Sequence, residues 1–198
     1  MNTQSHAILT TFLLRKGLDR WARGVAHFHT VAAAGALAPD LPLYGFFAWY
    51  TLVARVPQRR IWGELYFDPR WQALFHSFHS FPLWILAAAG CWLARKHLGV
   101  LFCCAGLLAS AQDFLLHHED AHAHFYPFSS YRFASPVSYW NPAYHGQLAS
   151  LLEAVLTTAA AAWLFSRLHT RWGRAILVGA VAALWANHGL WGYLFRHF

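Results

Sequence analysis

The sequence predicts an all-α, polytopic transmembrane helical bundle of five or six spans, with a short N-terminal interfacial helix and a Pro-rich external loop. Three observations carry that prediction. Hydrophobic residues make up 58% of the chain and charged residues only 12%, against roughly 25% charged in an ordinary soluble domain. The apolar residues form long runs, at 83–94, 98–111, 154–165 and 175–186, each extended by neutral neighbours toward the roughly 20 residues that a bilayer-spanning helix needs. Trp and Tyr gather where the runs end, at Trp62, Tyr66, Trp71, Tyr139, Trp140, Trp172 and Tyr193, as side chains anchored at the water interface do. A soluble protein of 22.5 kDa would have too little polar surface to cover this much apolar volume.

Taken in order, residues 5–14 are too short to span and read as an interfacial or half-inserted helix capped by Ser5. Residues 25–38 and 43–53 flank Pro39-Asp40-Leu41-Pro42 and form either two half-helices or one kinked span, because proline removes a backbone donor. A polar segment at 55–70 is followed by spans at 71–94, 98–118, 146–168 and 172–195. Between the second and third of these lie Pro127, Pro136 and Pro142, so residues 119–145 are expected as an external insertion within a single integral-membrane domain covering residues 1–198. The stretch from Arg15 to Ala38 imitates a secretory signal, yet Pro39 would follow the cut after Ala36-Leu37-Ala38, and the segment is expected to remain.

The formal charge is +7, but the cations sit in short clusters between runs. These are Arg15, Lys16, Arg20 and Arg23; Arg55, Arg59 and Arg60; Arg95 and Lys96; and Arg167, Arg171 and Arg174. Such spacing suits anionic headgroups and leaves no continuous basic patch for nucleic acid. Placing the first, third and fourth clusters in the cytoplasm gathers nine of the 15 Lys and Arg there and sends the long loop outside. Cys91, Cys103 and Cys104 lie within apolar runs, without the spaced pairs of a disulfide framework or a zinc ribbon.

The chemistry concentrates in one window. Of only eight Asp and Glu, three fall between Gln112 and His124, namely Asp113, Glu119 and Asp120, beside His117, His118, His122 and His124. Asp113 and His117 are four apart and share a helix face; Asp120, His122 and His124 alternate as ligands on an extended segment can. A carboxylate in a membrane helix costs roughly 2.5 to 3.5 kcal/mol on insertion scales and marks a site or has a partner. A divalent metal is such a partner, and imidazole with carboxylate suits zinc, manganese or iron, with zinc the first expectation. His6, Asp40 and His79 supply further ligands from elsewhere in the chain. Taken singly, they read as an interfacial histidine, a cap or turn former, and a hydrogen-bonded buried residue. His27, His29, His97, His169, His188 and His197 follow no spacing that ties them to the cluster and read as structural or interfacial.

The order of Ser5-His6, Pro39-Asp40-Leu41-Pro42, Phe78-His79-Ser80, Asp113-Phe114-Leu115-Leu116-His117 and Asp120-Ala121-His122 resembles the bacterial integral-membrane metal-dependent hydrolases, a family that includes an SOS-regulated inner-membrane member. The resemblance runs from about residue 5 to 146 and takes in Pro127 and Ser135-Pro136-Val137-Ser138-Tyr139-Trp140. It implies a multi-pass protein of the bacterial inner (cytoplasmic) membrane whose His6, Asp40, His79, Asp113 and His117 hold the metal, with His122 beside them. Where the family carries a second aspartate and an arginine by the central histidine, this sequence has Pro42 and Phe78 or Ser80, which leaves one metal or two open. A hydrolase of this kind would use metal-activated water on a lipid or other phosphoester, with Glu119 or Asp120 accepting the proton and Arg132 holding the phosphate. Lipid is the expected partner, and other membrane proteins or further copies of the chain are open. Two competing readings are a non-catalytic subunit of a larger complex with His-ligated haem or pigment, using His76, His79, His117 and His188, and a metal or cation transporter built on the broken helix.

Overall fold

The structure is a computed structural model that describes residues 1–22 and 25–194, with the side chains of Trp21 and 187–194 left aside. Arg23 and His197, and the side chains of His188 and Tyr193, lie outside the described residues. Helix α1 (Thr3–Gly17) is followed by the short α2 (Asp19–Ala22) and by α3 (Phe28–Leu37). A 3-10 turn at Ala38–Asp40 leads into α4 (Leu41–Ala48), which ends in a π turn at Trp49–Val53. Then come α5 (Gln58–Gly63), α6 (Pro69–Phe78), α7 (Phe81–Leu93), α8 (His97–Leu116), α9 (Gly146–Phe165) and α10 (Arg171–Leu194), with no strand among the described residues. Among the described residues, three helices are long and apolar enough to cross a membrane: Phe28–Val53, His97–Leu116 and Gly146–Phe165.

The Pro39-Asp40-Leu41-Pro42 element does not break its helix. Each proline falls within the first two positions of a new helical segment, where the missing N–H would have no partner anyway, so the chain tightens for one turn and continues. The result is one element of 26 residues. The expected span at 71–94, by contrast, is two helices that meet at His79 and Ser80. Pro82 has no N–H to give to the Phe78 carbonyl, which accepts the Trp84 indole N–H at 2.7 Å instead. The Ser80 hydroxyl takes the Leu83 N–H at 3.2 Å and starts a fresh helix.

The N-terminal helix also differs from expectation. It runs 15 residues and packs against α3, α8, α9 and α10, with Ser5, His6 and Thr10 buried, so it belongs to the interior of the bundle and not to an interface. His6 and Thr10 find partners on α8, which helps a helix this polar to sit there. Tight contact elsewhere comes from small residues. A Cβ at Gly35 would collide with the Phe102 carbonyl oxygen and lie 2.9 Å from the Ala105 Cβ, so α3 and α8 approach backbone to backbone.

Contacts fix the helix directions. Phe12 meets Trp163 with ring centroids 5.1 Å apart, making α1 and α9 parallel, while His6 meets Asp113, making α8 antiparallel to both. Phe81 meets Phe114 across the α7–α8 hairpin. Consequently the turns carrying Arg15 and Lys16, Arg95 and Lys96, and Arg167 and Arg171 lie at one end of the bundle. Asp113, sixteen residues into α8, lies about 24 Å from that end. Above the opposite end, α4 to α6 form an aromatic lobe on buried Phe46, Ile61 and Phe75. Residues 117–145 cover the bundle beside this lobe, where Ser135 N, Ser135 Oγ and Tyr139 N donate to the carbonyls of His117, Leu115 and Leu116 and satisfy the end of α8.

Candidate metal centre

Five of the residues singled out in the sequence meet at the covered end of the bundle. Each comes from a helix terminus: His6 from the first turns of α1, Asp40 from the 3-10 turn, His79 from the end of α6, and Asp113 and His117 from the last turn and cap of α8. Asp113 is 1% exposed and lies at the centre. Its Oδ1 is 2.9 Å from His6 Nε2 and 3.1 Å from His117 Nε2, and its Oδ2 is 3.4 Å from His79 Nε2. Asp40 Oδ1 is 3.9 Å from the same His79 nitrogen. His6, Asp40 and Asp113 each offer a ligand atom within 4.8 Å of the others, and His79 and His117 adjoin this trio through Asp113.

The other ring nitrogens explain the arrangement. His6 Nδ1 lies 3.1 Å from Gln112 Oε1, and Gln112 Nε2 in turn donates to Thr10 Oγ1 at 3.1 Å. His79 Nδ1 donates to the Phe75 carbonyl at 2.9 Å. His117 Nδ1 sits 3.0 Å from Asp120 Oδ2. The Nδ1 atoms of His6 and His79 each face an acceptor, so a ring that carries its proton there turns its Nε2 lone pair toward Asp113, the arrangement typical of metal-ligating histidines; His117 Nδ1 lies close to Asp120 without a hydrogen bond to it. Lone pairs that face a carboxylate at this spacing repel it unless a cation sits among them.

A stand-in cation is present. The Met1 ammonium lies 2.9 Å from Asp113 Oδ1 and 3.0 Å from His117 Nε2. It is placed by Asn2, whose backbone N–H and side-chain amide both donate to Glu153 Oε1 at 2.9 Å. Thr3 donates its hydroxyl to Asp40 Oδ2 and accepts from the Tyr44 hydroxyl at 2.9 Å. The nitrogen and oxygen donors therefore fit a divalent ion of the zinc, manganese or iron type.

The remaining predicted residues separate. Asp120 lines the cavity over the cluster; burial acts to raise its pKa, but the contact with His117 outweighs it and keeps the carboxyl below its usual range. His122 also lines the cavity, stacked face to face on His79 with centroids 3.9 Å apart, so it meets that residue through its ring face and not end-on. Burial, then His79 and His117, hold its imidazole well below the usual value and neutral. Glu119 is exposed and accepts from Asn141 Nδ2 at 2.7 Å. Arg132 lies against His76 Nε2 at 2.9 Å and Gln72 Oε1 at 3.3 Å. Neither Glu119 nor Arg132 lines the cavity, whereas Asp120 does.

The structure adds Gln112, Glu153, Thr3 and Tyr139 to the site's surroundings. Tyr139 is partly buried on the cavity wall, and burial, with Asp120 next, keeps its phenol protonated far above its usual range. Glu153 had a sequence signal: it is the sole charged residue of 146–165, as informative on insertion grounds as Asp113. Known protein families, curated proteins and solved structures contain no match to this chain, so the site stands on its geometry.

Proposed function

We propose that the protein is a membrane-embedded, metal-dependent hydrolase that holds a divalent ion, zinc first, on His6, Asp40, His79, Asp113 and His117. The observation that carries the reading is the convergence of three imidazole Nε2 atoms on one buried carboxylate, with the His6 and His79 rings oriented by an acceptor at Nδ1. When bound, such an ion supplies a water molecule acidified toward neutrality and a Lewis acid for the scissile ester. The chain's own residues do the rest. Gln112 and Phe75 fix the His6 and His79 ring tautomers, and the Asp120 carboxylate lies beside His117. Asp120 Oδ1, buried without a hydrogen-bond partner, is the group available to take a proton. Tyr139, held protonated, can donate to an oxygen.

The same directions support a topology. With α1, α3–α4, α7, α8, α9 and α10 alternating, the three basic turns all fall on one side, which the positive-inside rule assigns to the cytoplasm. The metal centre then faces the external side, and the five or six spans include α7 and α10 beside the three long apolar helices. The close set of nitrogens around Asp113 leaves no gap between facing histidines for a haem, which disfavours the pigment-subunit reading.

The test is metal content. Purified wild type should carry close to one equivalent of zinc, manganese or iron, and His117→Ala and Asp113→Ala should carry none while keeping their helical circular dichroism. Equal metal in all three would falsify the centre. A Soret band in the wild type would replace the hydrolase with a haem protein.

A further inference from the structure

We infer that the cavity over the metal centre draws an amphiphile sideways out of the bilayer, with its polar head on the ligand cluster and the first part of a hydrocarbon chain on an apolar wall. The identity of the head rests on the hydrolase reading above. The chain subsite rests on its own lining.

The cavity has about 310 Å³ of space, at the small end of ligand sites. Its lining combines Asp40, His79, Asp113 and Asp120 with Leu43, Phe47, Trp62 and Phe75. A ligand that satisfies both kinds of lining has an ionic or strongly polar end joined to an apolar one. The apolar wall is preformed: Phe47 and Trp62 stack with centroids 5.5 Å apart and planes 20° apart, backed by the fully buried Phe46, Ile61 and Phe75. Such a volume holds a headgroup and a few carbons. The rest of a chain has to lie outside it.

The mouth leads to lipid. Tyr44 and Trp62 both line the cavity and are exposed, at 54% and 41%, so the opening lies beside α4. Asn2, which also lines the cavity, is tied to Glu153 of α9, a helix whose outer surface carries the exposed Leu148, Leu151 and Leu152. Leu41, beside Asp40 at the start of α4, is exposed as well. Both flanking helices belong to elements long and apolar enough to cross a membrane. A water-soluble substrate would have to pass this greasy rim, whereas a lipid chain slides along it.

The experiment uses the full chain in lipid nanodiscs and a lysophosphatidylcholine with a diazirine close to the glycerol end of its acyl chain. Photolysis should label Leu43, Phe47 or Trp62. Excess unlabelled lysophosphatidylcholine should compete, and glycerophosphocholine, which has the head without the chain, should not. Phe47→Gln and Leu43→Gln should each lower that label at least tenfold while metal content stays at the wild-type level, which also reports that the fold is intact. Metal bound normally with label confined to Leu148, Leu151 and Leu152 would overturn the inference and leave the metal reading standing. Equal competition by glycerophosphocholine would overturn it too. Cavity label in a protein that binds no metal would support the chain subsite and remove the hydrolase reading.

Discussion

Replacing Gln112 by Leu removes no proposed ligand and tests whether the outer hydrogen bonds set the metal centre. Gln112 Oε1 is the acceptor at His6 Nδ1, 3.1 Å away, and its amide nitrogen is tied to the fully buried Thr10 at 3.1 Å. Without that acceptor His6 loses the tautomer that presents Nε2 to Asp113, and the ring is free to rotate. Outer partners of ligating histidines are worth roughly 10- to 100-fold in metal affinity, or about 1.4 to 2.8 kcal/mol. The metal-free protein should also lose about 1 to 3 kcal/mol, because the His6 N–H and the Thr10 hydroxyl are left without partners in a dry interior. The assay is zinc titration in detergent against a chromophoric chelator, alongside thermal unfolding of the metal-free form. Gln112→Glu keeps an acceptor at the same place and should restore binding to within a few-fold of wild type. Wild-type affinity in Gln112→Leu, or an equal loss in Gln112→Glu, would refute the tautomer argument.

Glu153→Leu should weaken the centre from a distance, since the Asn2 N–H and amide lose the oxygen they share at 2.9 Å. Glu153→Gln retains an acceptor and should fall less in unfolding temperature and in metal content. Gly35→Val should be the most damaging change far from the site, because its side chain has to displace the Phe102 backbone; a loss of several kcal/mol, read as failure to fold or a much lower midpoint in detergent, is the expected result, and a normal midpoint would mean that α3 and α8 are not in contact there. Acid sensitivity should shift in His124→Phe. Burial, then the nearby His79, lowers this imidazole to about 4, while the unfolded chain takes up its proton near 6.5. Its neutral form therefore contributes stability at neutral pH that is lost as pH falls from about 6.5 toward 4. Phenylalanine packs among the Phe81 and Phe114 rings, whose centroids are 4.9 and 5.2 Å away, and should flatten the stability profile in that window; an unchanged profile would show that His124 is not the group responsible.

The parts of the site that could be read from the sequence are those whose cost is local. An Asp in an apolar run is expensive wherever the rest of the chain goes, so Asp113 stood out before any fold was known, and His117, four residues on, shares its helix face. The charge clusters likewise mark turns regardless of tertiary structure. Glu153 carried the same signal as Asp113, but with no histidine near it in sequence it had no chemistry to suggest, and its role appears only when α1 lies parallel to α9 and brings Asn2 to it. Hydropathy misread the segment at 71–94 because Trp, Phe, Leu and Ala are as apolar in a capped pair of helices as in one long one; Ser80 and Pro82 were the local signs of the break.

The misreading has a structural consequence for the site. His79 is the residue at the break, with φ −98° and ψ 6°, and a continuous helix through it would turn its ring out along the helix surface. The 3-10 turn at Asp40 and the end of α8 at His117 do the same for their side chains. Three of the five proposed ligands, Asp40, His79 and His117, thus lie where the regular helix stops, and within a membrane irregular backbone survives only where protein covers it. Residues 117–145 and the α4–α6 lobe are that cover. A bundle of uninterrupted spans would satisfy the hydropathy of this sequence equally well and would have no way to aim three imidazoles at Asp113.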